Sequence, residues 1–302
     1  AMFAMRRRAW ELGATSVQQQ CWLFDVFVQP VLSYGCEIWG VDLLLGTECC
    51  SVERVHRWFC RRIQGLPNQV SSAVALAELG RQPLRLFWVR QLVRYWNRLL
   101  ASLGEPDRPL AWAFEDNLAL LREGADLAAG SPCWCRRWLQ FLQSAPTVSG
   151  TLVWLTQLDE GAVVERAAAA ALRQSLPPTS PQPPAQRQQP ASAAAAAPAT
   201  ATNKFANYLA LIRPNLPLGI PAPHLHEVSN PAHLFALCHF RCSCHDLRIE
   251  RERYLPPEIK APRHHRTCLC CASTAIEDEN HMVFHCPIYE RLRIQYADLF
   301  SP

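Results

Sequence analysis

Four residues near the C-terminal end have the types and spacing for metal chemistry: Cys268, Cys271, His281 and Cys286. A Cys-x2-Cys pair turns the backbone so that two thiolates point to one centre, and a His and a Cys from the next element close a tetrahedron around it. Zinc suits mixed thiolate and imidazole ligands, and a full protein ligand set leaves no position for a reacting water. The spacing therefore predicts one structural Zn2+. In a short, loop-rich stretch, metal binding of about 10–16 kcal/mol would supply most of the local folding energy. Two neighbours leave the ligand set open. Cys270 can replace Cys271, and His285, one helical turn after His281, can replace His281 or Cys286. An earlier group, Cys238, Cys242, Cys244 and His245, has helical and then irregular spacing, which suits buried thiols better than a second metal.

Catalytic groups are not assembled in the same way. Two-metal chemistry on phosphates needs paired carboxylates to hold the ions. The nearest lookalike, Tyr296-Ala297-Asp298-Leu299, lacks the second aspartate. Glu258 and Lys260 offer the last piece of a restriction-type nuclease core, but in a proline-flanked loop with no strand. No glycine-rich phosphate loop is present. The chain is accordingly expected not to be an enzyme. Cations at helical spacing are more prominent. Arg90, Arg94 and Arg98 share one helix face, with Arg81 and Arg85 before them, and Arg54, Arg57 and Arg61 form a stripe on an earlier helix. Such stripes can track a phosphate backbone, or they can be solvated faces. Trp39, Trp58, Trp88 and Trp96 fall among apolar neighbours and read as core. Arg248, Arg251 and Arg253 interleave with Glu250 and Glu252, so that segment can pair with itself.

The elements that must position these groups are mainly α. Val52, Val55, Phe59 and Ile63 recur at helical spacing, and Gly65 with Pro67 stops that helix. A second helix starts after Ser71 or Ser72 and stops at Gly80. A third runs from about Pro83 to Ser102, with Leu92, Trp96 and Leu99 on one side and Gly104 as its stop. Later helical stretches centre on 112–122, 134–143 and 157–175. Residues 1–175 thus form one helical block. Residues 176–203 carry seven prolines among Gln, Ser, Thr and Ala. That composition buries too little apolar surface to offset ordering, so a disordered linker is expected. Residues 204–302 form a second block, with Asn230-Pro231 opening a short helix and Pro287 opening a last one.

The composition agrees with two folded blocks: 302 residues, 49% hydrophobic and 19% charged, exclude a chain disordered throughout. A net charge of +4 is too mild to demand a polyanionic partner by itself. Fourteen cysteines without a secretory signal read as thiols or metal ligands, and nine of ten histidines follow residue 203, where the metal motif lies. The most apolar stretch, Cys21 to Trp39, is broken by Asp25, Pro30 and Glu37, so no membrane span is expected. An intracellular location, nuclear or cytoplasmic, follows as the expectation. The opening at Ala1, directly into helical sequence, suggests a piece of a longer reading frame.

Three stretches resemble the C-terminal part of the reverse transcriptase of non-LTR (LINE-type) retrotransposons. The first runs from Leu23-Phe24-Asp25 through Pro30-Val31-Leu32-Ser33-Tyr34-Gly35-Cys36-Glu37-Ile38-Trp39-Gly40 and is similar to the segment after the polymerase palm. The second is Val52 to Pro67. The third is Arg241 to Tyr254, followed by Cys268, Cys271, Glu277-Asp278-Glu279, His281, Cys286-Pro287, Tyr289, Leu292 and Arg293. Cys242 and Cys244 depart from the family, where small hydroxyl residues are expected. The resemblance implies a helical thumb and connector, a zinc knuckle, and contacts to template RNA or target DNA. It also implies a palm upstream, in the same reading frame. The runner-up reading is a zinc-stabilised protein-interaction module, or a degenerate element remnant without a nucleic-acid role.

Overall fold

The computed structural model describes residues 2–46, 51–103, 108–123, 133–144, 158–175, 204–271 and 273–299. Among these the structure is helical, and the β pairing is a single antiparallel bridge between Thr267 and Ile276. Helices α1 (Met2–Glu11) and α2 (Val17–Leu23) lead through a wide turn, Phe24–Val28, into Gln29–Leu32. The Ser16 hydroxyl caps α2 by accepting the Gln19 N–H at 3.2 Å. There follow α3 (Cys36–Leu45), α4 (Ser51–Ile63), α5 (Ser72–Glu78), α6 (Leu84–Ser102), α7 (Pro109–Glu123), α8 (Trp134–Ser144) and α9 (Glu160–Ser175). Gly65 and Gly80 end α4 and α5 at φ of 68° and 63°, the left-handed conformation that glycine takes without penalty. The expected stop at Gly104 and the expected linker 176–203 lie outside the described residues.

Two large cores organise these helices. In one, α6 is the spine: Leu92, Val93, Trp96 and Leu99 are buried against α3, α7, α8 and α9. Trp88 and Trp96 are fully enclosed, as their apolar neighbours predicted, whereas Trp39 and Trp58 are half-buried.

The second core draws on both sides of 176–203. Phe24, Phe59, Ile63 and Val74 pack with Phe205, Tyr208, Leu225, Leu234 and Cys238. The later residues belong to α10 (Lys204–Asn207) and its wide turn Tyr208–Ile212, α11 (His224–Glu227) and α12 (Pro231–Arg241). The Asn230 side chain accepts the Ala232 and His233 N–H groups at 2.9 and 3.4 Å, and Pro231 sits where no N–H is needed. Both helix-ending glycines serve this junction. A Cβ at Gly80 would lie 2.4 Å from Pro221 N, and one at Gly65 would lie 2.8 Å from the Phe235 ring.

A buried polar cluster sits in the same core. Glu78 is fully enclosed; its carboxylate accepts from the Tyr208 hydroxyl at 2.7 Å and from Arg241 Nε at 3.1 Å, and His224 Nε2 stands 3.5 Å away. A lone buried carboxylate is several kcal/mol unfavourable, and these partners offset that cost. Burial pushes the Tyr208 phenol up and holds the His224 imidazole below its ordinary value. No helix among the described residues is long and apolar enough to cross a membrane.

Candidate metal centre

The ligand atoms of Cys268, Cys271, His281 and Cys286 all lie within 4.8 Å of one another, and Cys271 Sγ is 3.3 Å from His281 Nε2. Thiolates about 2.3 Å from a tetrahedral centre stand about 3.8 Å apart, so this cluster has the dimensions of a four-coordinate metal site. It can hold a metal ion with no open position.

Each ligand is placed by a local device. Cys268 follows the Thr267–Ile276 bridge, where its N–H donates to Ala275 O at 2.9 Å and the Glu277 N–H donates to Arg266 O at 2.9 Å. This two-rung hairpin presents Cys271 in its turn. Asp278 caps the next element, its carboxylate accepting the His281 N–H at 2.9 Å. The turn His281–His285 is wider than an α-helix, and the Cys286 N–H reaches back five residues to His281 O at 2.7 Å. In an α-helix of 3.6 residues per turn, positions five apart point about 140° away from each other. The wide turn brings them together instead, which is why His281 pairs with Cys286. His285, one α-helical turn on, points out and is exposed. Cys270 is exposed as well, and Cys271 takes the inward place. Arg293 then ties the end of this turn, donating to Cys286 O at 2.7 Å. The last helix is shorter than Pro287 suggested: a tight turn, Pro287–Tyr289, precedes α14 (Glu290–Gln295), and Leu292 and Tyr296 are exposed.

The outer shell of the site is polar. Arg266 is buried and donates to Ile249 O at 2.8 Å and to Ala261 O at 3.1 Å. Arg248 donates to Thr267 O at 3.1 Å, and the Ile249 N–H donates to Glu277 O at 3.2 Å. His245 Nε2 meets Glu279 Oε1 at 2.9 Å. These bonds fasten the knuckle to α13 (Arg248–Arg251) and to the loop before it. Within the knuckle, hydrogen bonds from Ser273 lower the Cys271 thiol to about 6, whereas burial raises Cys286.

The second cysteine group does not converge in this way. Cys238 and Cys242 are buried in the helical core, burial pushing the Cys238 thiol up to about 12, and His245 is engaged by Glu279. Arg248 pairs with Glu252, and Arg253 meets Glu250 at 3.2 Å, the self-pairing that their interleaving suggested.

The arginine stripes have a mixed fate. Arg90 and Arg94 converge on Glu160 of α9, at 3.1 and 2.7 Å. Arg57 meets Glu53 at 3.5 Å. Arg61 donates to Val70 O at 3.0 Å and Ser72 Oγ at 2.6 Å, fixing the turn into α5. Arg98 lies over the Tyr95 ring at 5.4 Å, and Arg54 is exposed. Arg81 and Arg85, read as extensions of the stripe, are structural clamps. Arg81 grips Asp25, stands 3.3 Å from His56 Nε2 and lies over the Phe24 ring. Arg85 donates to Leu44 O at 3.3 Å and so covers the end of α3. Sequence reasoning missed Glu78 and its partners. Its one visible signal is a single carboxylate inside the apolar run Ala73 to Leu79.

No protein-family model, curated protein or solved structure matches the chain.

Proposed function

We propose that the chain is the non-catalytic C-terminal region of a non-LTR retrotransposon reverse transcriptase, which binds template RNA or target DNA. The observation that carries this reading is the inward convergence of Cys268, Cys271, His281 and Cys286 at the motif positions that resemble that family. Those four residues would hold one Zn2+, which when bound supplies a rigid, closed cross-link and no reacting water. The chain's own residues do the rest: Asp278 orients His281, and Arg266 and Arg248 anchor the knuckle to the helical body. In this reading the chain works inside the cell beside an upstream palm, and alone it neither polymerises nor cuts nucleic acid.

The test has two parts. Metal analysis of the purified, reduced chain is expected to find one zinc. Binding to RNA or DNA is expected to weaken with salt, with a slope set by the number of phosphate contacts. A metal-loaded chain that ignores both nucleic acids overturns the reading. The protein-interaction alternative keeps one observation of its own: the knuckle exposes the apolar side chains of Leu269, Ile288 and Ile294, which a protein partner would cover. Template-directed nucleotide addition by this chain alone would overturn its non-catalytic role.

A further inference from the structure

Between the helical body and the metal knuckle lies a cleft of about 720 Å³. Its walls are 69–74 and 208–212 on the body side, the end of α12, and, toward the knuckle, parts of 249–254, 260–266 and 278–280. Five cations and three carboxylates line it, and they are not matched pairwise. All three carboxylates are engaged within the chain: Glu250 by Arg253, Glu279 by His245, and Asp278 by the His281 N–H. Arg241 is taken by Glu78, and Arg266 by backbone carbonyls. Lys260 and Arg263 are exposed and have no acidic partner among the described residues. Pro256, Pro257 and Pro262 fix φ at three positions of the loop that carries them, so its backbone has less freedom beside the cleft. Tyr254 lines the same cleft, and its aromatic side chain is half-exposed.

The matching ligand has anionic groups alternating with flat apolar rings. We infer that this cleft binds a single-stranded segment of nucleic acid, with phosphates on Lys260 and Arg263 and a base against Tyr254. The inference rests on the nucleic-acid reading above and gives it a place away from the helical stripes. The cleft has the volume of a small-ligand site, about 300–1,000 Å³. A duplex cannot enter it, and the stacked bases of a duplex have no face to offer Tyr254. An unpaired strand has both free bases and a bendable backbone. The stripes are less suited, because Arg57, Arg61, Arg90 and Arg94 already have partners in the chain.

The experiment uses the full, zinc-loaded chain and three probes: a short mixed-sequence RNA, the same sequence as DNA, and the annealed DNA duplex. Either single strand is expected to bind more tightly than the duplex. Lys260→Gln with Arg263→Gln is expected to flatten the log-affinity against log-salt slope by about 0.7 per contact, which at about 0.1 M salt is about a five-fold loss for each cation. Tyr254→Ala is expected to cost about ten-fold with the slope unchanged. Arg90→Gln, Arg94→Gln and Arg98→Gln together are expected to change strand affinity less than the cleft pair does. Unchanged zinc content shows that the cleft variants keep the knuckle folded, and unchanged helix content and urea midpoint show that the helical variants keep the body folded. Strand binding that survives the cleft variants intact overturns the cleft and leaves the nucleic-acid reading standing, as does equal affinity for the duplex. Failure to bind any probe removes that reading and the cleft with it.

Discussion

The helical body and the metal knuckle are held together by opposite means. In the body, Phe24, Phe59, Trp88, Leu92 and Trp96 are enclosed by apolar neighbours brought from far along the chain. Among the described residues beyond 245 the buried ones are Ile249, Glu250, Glu252, Arg266, Cys268, His281 and Cys286, so charged groups and metal-ligating groups outnumber aliphatic ones. Burial cannot hold such a unit by itself. One region spends its sequence on surface removed from water, and the other on ligands and hydrogen bonds over a short span. The two should therefore fail under different insults.

Metal removal should show the largest contrast. Chelation, or Cys268→Ala, is expected to unfold the knuckle, at a cost of order 10 kcal/mol, and to leave α1–α9 folded. Hydrogen exchange read segment by segment should show protection lost near 266–290 and retained in α6. Coincident loss in both regions would mean that they are one cooperative unit.

Next in size is Glu78→Ala. It leaves the Arg241 guanidinium without its buried partner and is expected to destabilise the body by about 3–5 kcal/mol, with zinc stoichiometry unchanged. Urea unfolding followed by tryptophan fluorescence measures it. A smaller cost falls on Gly80→Ala, which combines positive φ with a Cβ against Pro221. A loss of about 2 kcal/mol is expected, and the same change at Gly13, which has positive φ but open space, should cost less.

The smallest effect is set by pH. Burial holds the His56 imidazole below its ordinary 6.5, with Glu53 partly opposing the shift. The folded state then binds this proton less readily than the unfolded chain. The contribution of neutral His56 is complete above about pH 6.5 and is lost as pH falls from there toward the folded value, by at most about 1.4 kcal/mol per pH unit. The urea midpoint of the body should fall on acidification through that window. A midpoint that rises instead would place a charged imidazole in the core.

The same contrast governs what the sequence discloses. The knuckle's ligands lie within one short stretch, and the Asn230-Pro231, Gly65 and Gly80 signals act within a turn, so each is readable from neighbours alone. His285 competes for the ligand place only where the chain makes an α-helical turn, and the wide turn after His281 favours Cys286 instead. The core junction is a different matter. Glu78 meets Tyr208 across 130 residues and Arg241 across 163. Arg81 finds Asp25 across 56 residues, and a spacing of four cannot distinguish that clamp from a solvated stripe. Helical periodicity says which face is charged, and only the fold says what the charge meets.

The 130-residue separation also has a meaning in time. A ribosome adding about 5–20 residues per second needs roughly 6–26 s to add Tyr208 after it has added Glu78, and the same interval separates their emergence. Throughout that interval α5 must keep its carboxylate in water, and the socket at Gly80 has no occupant. The first helices therefore leave the ribosome with an unfinished apolar seam, and the nascent chain is most vulnerable to chaperone capture or misassembly before residue 208 is made.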